Sequence, residues 1–380
     1  MSFVANWSYP TQIRFGAGRV AELAEACESA EIKRPLLVTD RGLAKLEIAQ
    51  DVLAIMKLHG LGDSVFAEVD TNPTDENLNA GIAAFHSGSH DGVIAFGGGS
   101  GLDLGKAVAF MAGQTRPVWD FEDVGDWWKR ADSDVIAPII ALPTTAGTGS
   151  EVGRASVITN SATHEKKIIF HPKMLPKVVI CDPKLTVGMP PSITAGTGMD
   201  AFAHCLEAYC SPHFHPMSQG IALEGMRLVK DYLRRAFVDG ADLEARANMM
   251  SAAAMGATAF QKGLGAIHAL SHPIGAIHNT HHGTTNAVVM LPVLRFNRPA
   301  IANKLGKASA YLGIEGGFDG FCSFVGRLKD DLDIPRSLAE LGVVDLDLEH
   351  IARVALRDPS VGGNPVEMTL ENTMTLLAEC

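Results

Sequence analysis

Gly92-Val-Ile-Ala-Phe96 runs directly into Gly97-Gly98-Gly99-Ser100-Gly101-Leu102-Asp103-Leu104-Gly105-Lys106. The first residues are apolar and β-branched in part, the pattern of a strand buried on both faces. The glycines let the backbone turn tightly, and Leu102–Met111 then has apolar residues at helical spacing. Strand, glycine turn and helix start make a phosphate cradle, because the free N–H groups of a helix's first turn point at an anion. Neither common fingerprint is complete. Leu102 stands where a dinucleotide G-x-G-x-x-G needs glycine, and Ser100 and Ala107 stand where a P-loop needs Gly and Ser or Thr. The turn therefore reads either as a ligand loop or as a tight strand–helix connection.

The same alternation extends on both sides. Pro35–Thr39, Ser64–Val69, Val135–Leu142 and Lys177–Cys181 read as strands, and Leu43–His59 and Asp75–His86 as helices. This is the signature of an α/β domain with a mainly parallel sheet. The pattern changes near Gly188-Met-Pro-Pro191. Beyond it Ala222–Phe237 and Leu243–Phe260 read as helices, with little strand signal. The expected organisation is an α/β dinucleotide-binding domain over 1–187 and an all-α domain over 188–380, with a ligand cleft between them.

At 380 residues the chain is long for a single core. Lys and Arg number 32 against 43 Asp and Glu, a formal charge of −11. So acidic a chain is a poor candidate for nucleic acid or anionic membrane, which need basic patches. No apolar run has the length of a membrane span, and Met1–Pro10 has neither the basic start nor the apolar core of a signal peptide. The six cysteines are scattered with no Cys-x-x-Cys pair, which fits a reduced, cytoplasmic compartment.

Two further segments extend the cofactor reading. Pro143-Thr144-Thr145-Ala146-Gly147-Thr148-Gly149-Ser150-Glu151 follows another strand, and hydroxyls and glycines there suit a dinucleotide's paired phosphates. Asp40 ends the Leu36–Thr39 strand. Its carboxylate can accept hydrogen bonds from ribose hydroxyls and would repel a 2′-phosphate, favouring NAD over NADP. The other reading of Asp40 is a helix N-cap.

Five of the 14 histidines fall between His268 and His282: His268, His272, His278, His281 and His282. The background is Ala, Gly and Ile, and Gly263–Gly283 contains no Lys or Arg. Upstream, Gly198–Tyr209 reads as a helix with Asp200 and His204 one turn apart on a shared face. Glycine and proline after His272 should break the chain and return it with His282. A carboxylate and several imidazoles from separate elements suit a divalent metal, and an open position would make the site catalytic. His213 and His215 read as a separate loop.

With these residues the chain resembles the iron-containing (group III) alcohol dehydrogenase family, related to glycerol dehydrogenase and dehydroquinate synthase. The resemblance runs nearly end to end through Phe15-Gly-Ala-Gly18, Thr71-Asn-Pro-Thr74, Gly97–Ser100, Thr144–Glu151, Gly188–Pro191, Gly198-Met-Asp-Ala201 and Asn364-Pro365. It implies a Rossmann-like N-terminal domain, a helical C-terminal domain and a metal in the cleft. The ligands it implies are Asp200, His204, His268 and His282. The cofactor residues it implies are Asp40, Gly97, Gly98, Gly99, Ser100, Asp103, Thr144, Thr145, Thr148 and Lys166. The family usually has Pro before the last ligand and this chain has His281, so His281 competes with His282, which the spacing favours.

The activity so implied is NAD-dependent, divalent-metal-dependent oxidation of a small primary or secondary alcohol, reversible to the aldehyde or ketone. Fe(II) is the expected metal, with Zn(II) the alternative. The metal would act as a Lewis acid on the substrate oxygen, with hydride passing to nicotinamide C4. His272 or His278 would relay the proton. A homodimer or larger homo-oligomer is expected. Rival readings are a glycerol dehydrogenase-like enzyme, a dehydroquinate synthase-like lyase, which should carry several Lys and Arg for its anionic substrate, and a non-catalytic metal-binding protein.

Overall fold

The structure is a computed structural model and describes residues 11–163 and 165–380; the signal-peptide reading of Met1–Pro10 lies outside the described residues. These fall into two compact units. One comprises residues 11–145 with Gly149–Val187, the other Ala146–Thr148 with Gly188–Cys380.

The first unit holds strands β1 (Gln12–Phe15), β2 (Pro35–Asp40), β3 (Val65–Val69), β4 (Gly92–Gly97), β5 (Ile139–Pro143), β6 (Ala155–Thr159), β7 (Lys166–Phe170) and β8 (Val178–Cys181). Its helices are α1 (Leu23–Ser29), α2 (Glu47–Leu58), α3 (Asp75–Ser87) and α4 (Gly99–Met111). Six strands form one sheet in the order β1-β8-β5-β4-β2-β3, with every neighbouring pair parallel. β4 and β5 are buried throughout, as expected of strands covered on both faces. Leu37, Ile94, Phe96 and Ile140 from the sheet pack with Val52 and Met56 of α2 in one core.

From β2 the chain moves outward to β3, then returns past β2 to β4 and continues to β5. The order therefore reverses between β2 and β4. Open parallel sheets bind ligands at such a switch point, beyond the carboxyl ends of the strands. Asp40 ends β2 there and Gly97 ends β4.

Two details differ from the sequence reading. The Val135–Leu142 run becomes a strand only from Ile139, because Val135 is exposed and Pro138 has no N–H to give to a ladder. β1 and the antiparallel β6–β7 pair were not read as strands. β1 is a short edge strand with no fully buried residue, so its apolar signal is weak.

The second unit is helical: α5 (Pro191–Cys210), α6 (Pro216–Val238), α7 (Leu243–Ala259), α8 (Ala266–His278), α9 (His282–Tyr311), α10 (Gly317–Asp331), α11 (Leu348–Ala355) and α12 (Leu370–Ala378). α5 is its central rod. It packs on α6, α7 and α9, and residues 198–210 are all buried. A helix covered on all sides needs no amphipathic stripe, so small and polar residues within it are free to serve other ends.

The expected break after His272 is not where the chain turns. Pro273 lies inside α8, which continues to His278. Proline there removes one helix hydrogen bond without ending the helix. The reversal is made by Asn279 in the left-handed conformation, followed by His281 at the start of α9. Among the described residues no helix is long and apolar enough to cross a membrane.

Candidate functional site

Three helices bring the acidic and imidazole groups together. α5 carries Asp200 and His204, α8 carries His268, and α9 opens with His282. Asp200, His204 and His268 are buried and offer one donor atom each, all within 4.8 Å of one another. Asp200 Oδ1 is the common point. The Nε2 atoms of His204, His268 and His282 lie 3.8, 3.7 and 3.4 Å from it. The His204 and His268 rings stack at 4.7 Å between centroids. Such a set of hard oxygen and imidazole nitrogen is able to hold a divalent metal ion.

Glycine makes this approach geometrically feasible. A Cβ on Gly283 would lie 2.1 Å from the Gly196 carbonyl oxygen and 2.9 Å from Asp200 Cβ. Any side chain at Gly283 would push the start of α9, and with it His282, away from α5.

His281 and His282 part at this point. His281 is the N-cap of α9, its Nδ1 accepting from the Thr284 N–H at 3.3 Å and meeting the Thr284 hydroxyl at 3.0 Å. Its neighbour His282 turns Nε2 to Asp200. A capping duty therefore accounts for the histidine that departs from the family pattern. His215 is likewise the N-cap of α6, accepting from Ser218 N–H, and His213 Nδ1 meets the Lys262 carbonyl at 2.9 Å.

Burial and charge set the protonation of the cluster. Burial alone would raise the Asp200 pKa, but His204, His282 and His268 together hold its carboxyl far below the usual range. Burial takes His204 down to about 4, against the pull of Asp200. Burial also works against the charged form of His268, yet Glu207 and Asp200 outweigh it and raise that group to about 10. Asp200 is thus a carboxylate and His204 a neutral imidazole near neutral pH.

Three surrounding residues were not found in the sequence. Glu207 Oε2 lies 2.5 Å from His268 Nδ1, and its Oε1 accepts from the Ile267 N–H at 2.7 Å. Asn286 Nδ2 donates to Asp200 Oδ1 at 2.8 Å, while its buried Oδ1 has no hydrogen-bond partner among the described residues. Asp358 Oδ2 lies 2.7 Å from His272 Nδ1. A signal existed for Glu207, which follows Asp200 and His204 on the same face of α5 at spacings of seven and three. None existed for Asp358, far along the chain.

His272 stacks on His282 at 5.3 Å. His278 closes α8, and among the described residues no hydrogen bond, ion pair or ring contact joins it to the cluster.

In the first unit, Gly97 has φ +151°, a conformation that favours glycine, and α4 begins two residues later. The Thr144 N–H donates to the Gly97 carbonyl at 2.9 Å, and the Thr145 side chain lies against Gly98. The β4 and β5 loops are thus adjacent. Gly99 and Ser100 sit in the first turn of α4, and the Ser100 hydroxyl donates to the Thr71 carbonyl at 2.5 Å. Asp40 Oδ1 accepts from the N–H groups of both Gly42 and Leu43 at 2.8 Å, so one of its oxygens caps these two N–H groups, although the N-cap residue of the following 43–45 turn is Gly42 and not Asp40. Asp103 is engaged within the fold by the Ser150 hydroxyl, the Val157 N–H at 2.9 Å and Lys106 Nζ at 3.2 Å. Lys166 opens β7 opposite Thr159, and Thr148 belongs to the helical unit.

The family signal matches this architecture unit by unit. Residues 10–183 match the family model described as iron-containing alcohol dehydrogenase, and residues 194–380 match its C-terminal counterpart, the Fe-containing alcohol dehydrogenase family. The chain belongs to the iron-containing alcohol dehydrogenase family. It is an oxidoreductase of the NAD-dependent alcohol dehydrogenase class. It is 39% identical to a 4-hydroxybutyrate dehydrogenase of Cupriavidus necator, covering 98% of both chains. It is 34% identical to a 1,3-propanediol dehydrogenase of Klebsiella pneumoniae over 92% of each. Among solved structures it is similar to a 1,3-propanediol oxidoreductase, with TM-score 0.93 and 32% identity over 99% of this chain and 100% of the other. It is also similar to the sulfoacetaldehyde reductase from Bifidobacterium kashiwanohense in complex with NAD+, with TM-score 0.89 and 30% identity over 99% and 98%.

Proposed function

We propose that the enzyme oxidises a small primary or secondary alcohol to its aldehyde or ketone, and runs the reverse reduction, with a divalent metal held by Asp200, His204, His268 and His282. One observation carries this reading. Three imidazole Nε2 atoms lie 3.4–3.8 Å from a single Asp200 oxygen, too far apart for direct hydrogen bonds in most cases. Donors about 2.1 Å from a tetrahedral ion are about 3.4 Å from one another, so the spacing suits a shared cation. The family favours Fe(II); the donor set also suits Zn(II).

A cation so held supplies Lewis acidity to the substrate's carbon–oxygen bond, and NAD supplies the hydride acceptor. The chain's own groups do the rest. Asp200, His204, His268 and His282 hold the cation, and Gly263–Gly283 carries no Lys or Arg to attract a polyanion. The backbone N–H groups of Gly99 and Ser100 at the start of α4, with Gly97, Gly98, Thr144 and Thr145 around them, bind the dinucleotide phosphates. Asp40 takes the ribose hydroxyls through the oxygen not used in its cap. Thr148 and Lys166 complete the cofactor set by family resemblance, and Asp103 serves it by fixing the base of α4. His272 takes the alcohol's proton at Nε2, since Asp358 holds its Nδ1. His278 has no comparable partner among the described residues and is the weaker relay.

The six free cysteines suit a reduced, cytoplasmic compartment, and the family resemblance suits a homo-oligomer. The test is an NAD-linked screen of alcohols and aldehydes, 4-hydroxybutyrate and 1,3-propanediol included, on protein loaded separately with Fe(II) and Zn(II). Turnover should appear as net change at the nicotinamide absorbance. Catalysis without net change would point to the lyase reading, and NAD-independent metal binding without turnover to the non-catalytic one.

A further inference from the structure

Glu207 occupies an unusual position: buried at 6% exposure on α5, with both carboxylate oxygens committed to another helix. Oε1 accepts from the Ile267 N–H in the first turn of α8, and Oε2 meets His268 Nδ1. The N-cap of α8 is Gly265, which has no side chain to satisfy those first N–H groups. Asn364 Oδ1 takes the Ala266 N–H at 3.1 Å, so the cap is assembled from outside the helix. Glycine suits this position: a Cβ there would lie 3.0 Å from Asn364 Oδ1 and 3.1 Å from Glu207 Oε1, so a larger residue would press on both capping groups.

We propose that Glu207 is a positioning residue for the metal, fixing the His268 ring with its proton on Nδ1 so that the Nε2 lone pair faces Asp200 and the cation. This rests on the metal reading above. A carboxylate is acceptor-only, so the imidazole atom facing it must be the donor. With a cation bound, the opposite nitrogen, Nε2, gives up its proton and presents its lone pair on the side where Asp200 Oδ1 lies 3.7 Å away. Metal-ligating histidines are commonly oriented by such outer carboxylates, and losing them weakens binding about 10–100-fold. α5 thereby contributes three groups from one face: Asp200 and His204 toward the cation, and Glu207 toward the ligand on α8.

Glu207→Gln separates the two duties. If its carbonyl oxygen keeps the Ile267 N–H, its NH2 group is presented to His268 Nδ1 and favours the other tautomer, which places a proton on Nε2. Zinc affinity of the full-length protein, measured by chelator competition, should fall about 10–100-fold in Glu207→Gln. In 15N spectra of histidine-labelled, zinc-loaded wild type, His268 should show a protonated Nδ1 and a metal-bound Nε2. An Nε2-protonated or Nδ1-bound His268 in wild type overturns the proposal even if the variant does not fold. So does wild-type zinc affinity in folded Glu207→Gln. Asp200→Ala run alongside tells the two readings apart: retained zinc in Asp200→Ala defeats the metal reading itself, whereas zinc lost there and kept in Glu207→Gln defeats only the role of Glu207.

Discussion

Asp358 Oδ2 lies 2.7 Å from His272 Nδ1, joining the segment after α11 to the middle of α8. Burial would raise the Asp358 pKa, but the His272 charge and hydrogen bonds from His272 and Ser360 hold it at about 2. It is therefore a carboxylate near neutral pH, which orients the ring and leaves Nε2 open for proton exchange. Asp358→Asn should lower kcat by about 100-fold, the lower end of the range for an oriented acid–base group. Metal content should stay at the wild-type level. Steady-state kinetics with metal analysis would check this, and an unchanged kcat would remove His272 from proton transfer.

The convergence of Nε2 atoms on Asp200 predicts that Asp200→Ala and His268→Ala lose metal and turnover together. His268→Ala also leaves the buried Glu207 Oε2 without its partner, at a cost of about 1–3 kcal/mol. Elemental analysis and thermal melting read the two effects separately. Full activity in metal-free Asp200→Ala would sink the assignment.

Asp40 has two duties that one substitution would confuse. Asp40→Gly removes both the carboxylate and the cap on Gly42 and Leu43, whose loss costs up to about 1 kcal/mol. Asp40→Asn keeps a capping oxygen and removes the charge. The ratio of kcat/KM for NADP to that for NAD should rise about 10-fold or more in both variants, since the repelling charge is gone. Stability should fall only in Asp40→Gly. Unchanged cofactor discrimination in Asp40→Asn would leave Asp40 a cap alone.

Glu151 gives a pH signature in the α/β unit. Burial raises its pKa from 4.5 to about 7, with its own N–H and Lys106 offsetting only part. An acid whose folded pKa is raised binds more protons when folded. Stability is therefore highest below the unfolded value of 4.5, declines as pH rises toward about 7, and is flat above it. Glu151→Gln should leave stability near pH 4 unchanged and raise it at pH 8 by on the order of 1–3 kcal/mol. Urea midpoints at the two pH values would show it; equal gains at both would contradict a buried, ionising Glu151.

Legibility varied with the range of the physics. β2 and β4 announce themselves because a strand buried on both faces must be continuously apolar. The β6–β7 pair is half-exposed, and with Lys166 and Lys167 at its start it carries no such run. Pro273 looks like a break because its local effect is to remove a helix hydrogen bond, yet packing of α8 on α9 and α11 keeps the helix whole.

The sequence by itself determined the α/β and helical halves, the glycine loop at the end of β4, and the pairing of Asp200 with His204, because helical spacing fixes which neighbours share a face. It narrowed five histidines to a cluster but could not apportion their work. Only the tertiary structure decided that His281 caps α9 while His282 faces Asp200, that Asp358 holds His272, and that Glu207 reaches across to His268. Apart from the His281 cap, which is local to α9, those contacts join residues on separate elements, with separations of 61 and 86 positions for Glu207 and Asp358. No periodicity within one helix encodes them; they arise when α5, α8 and α9 pack closely enough that even a Cβ on Gly283 would not fit.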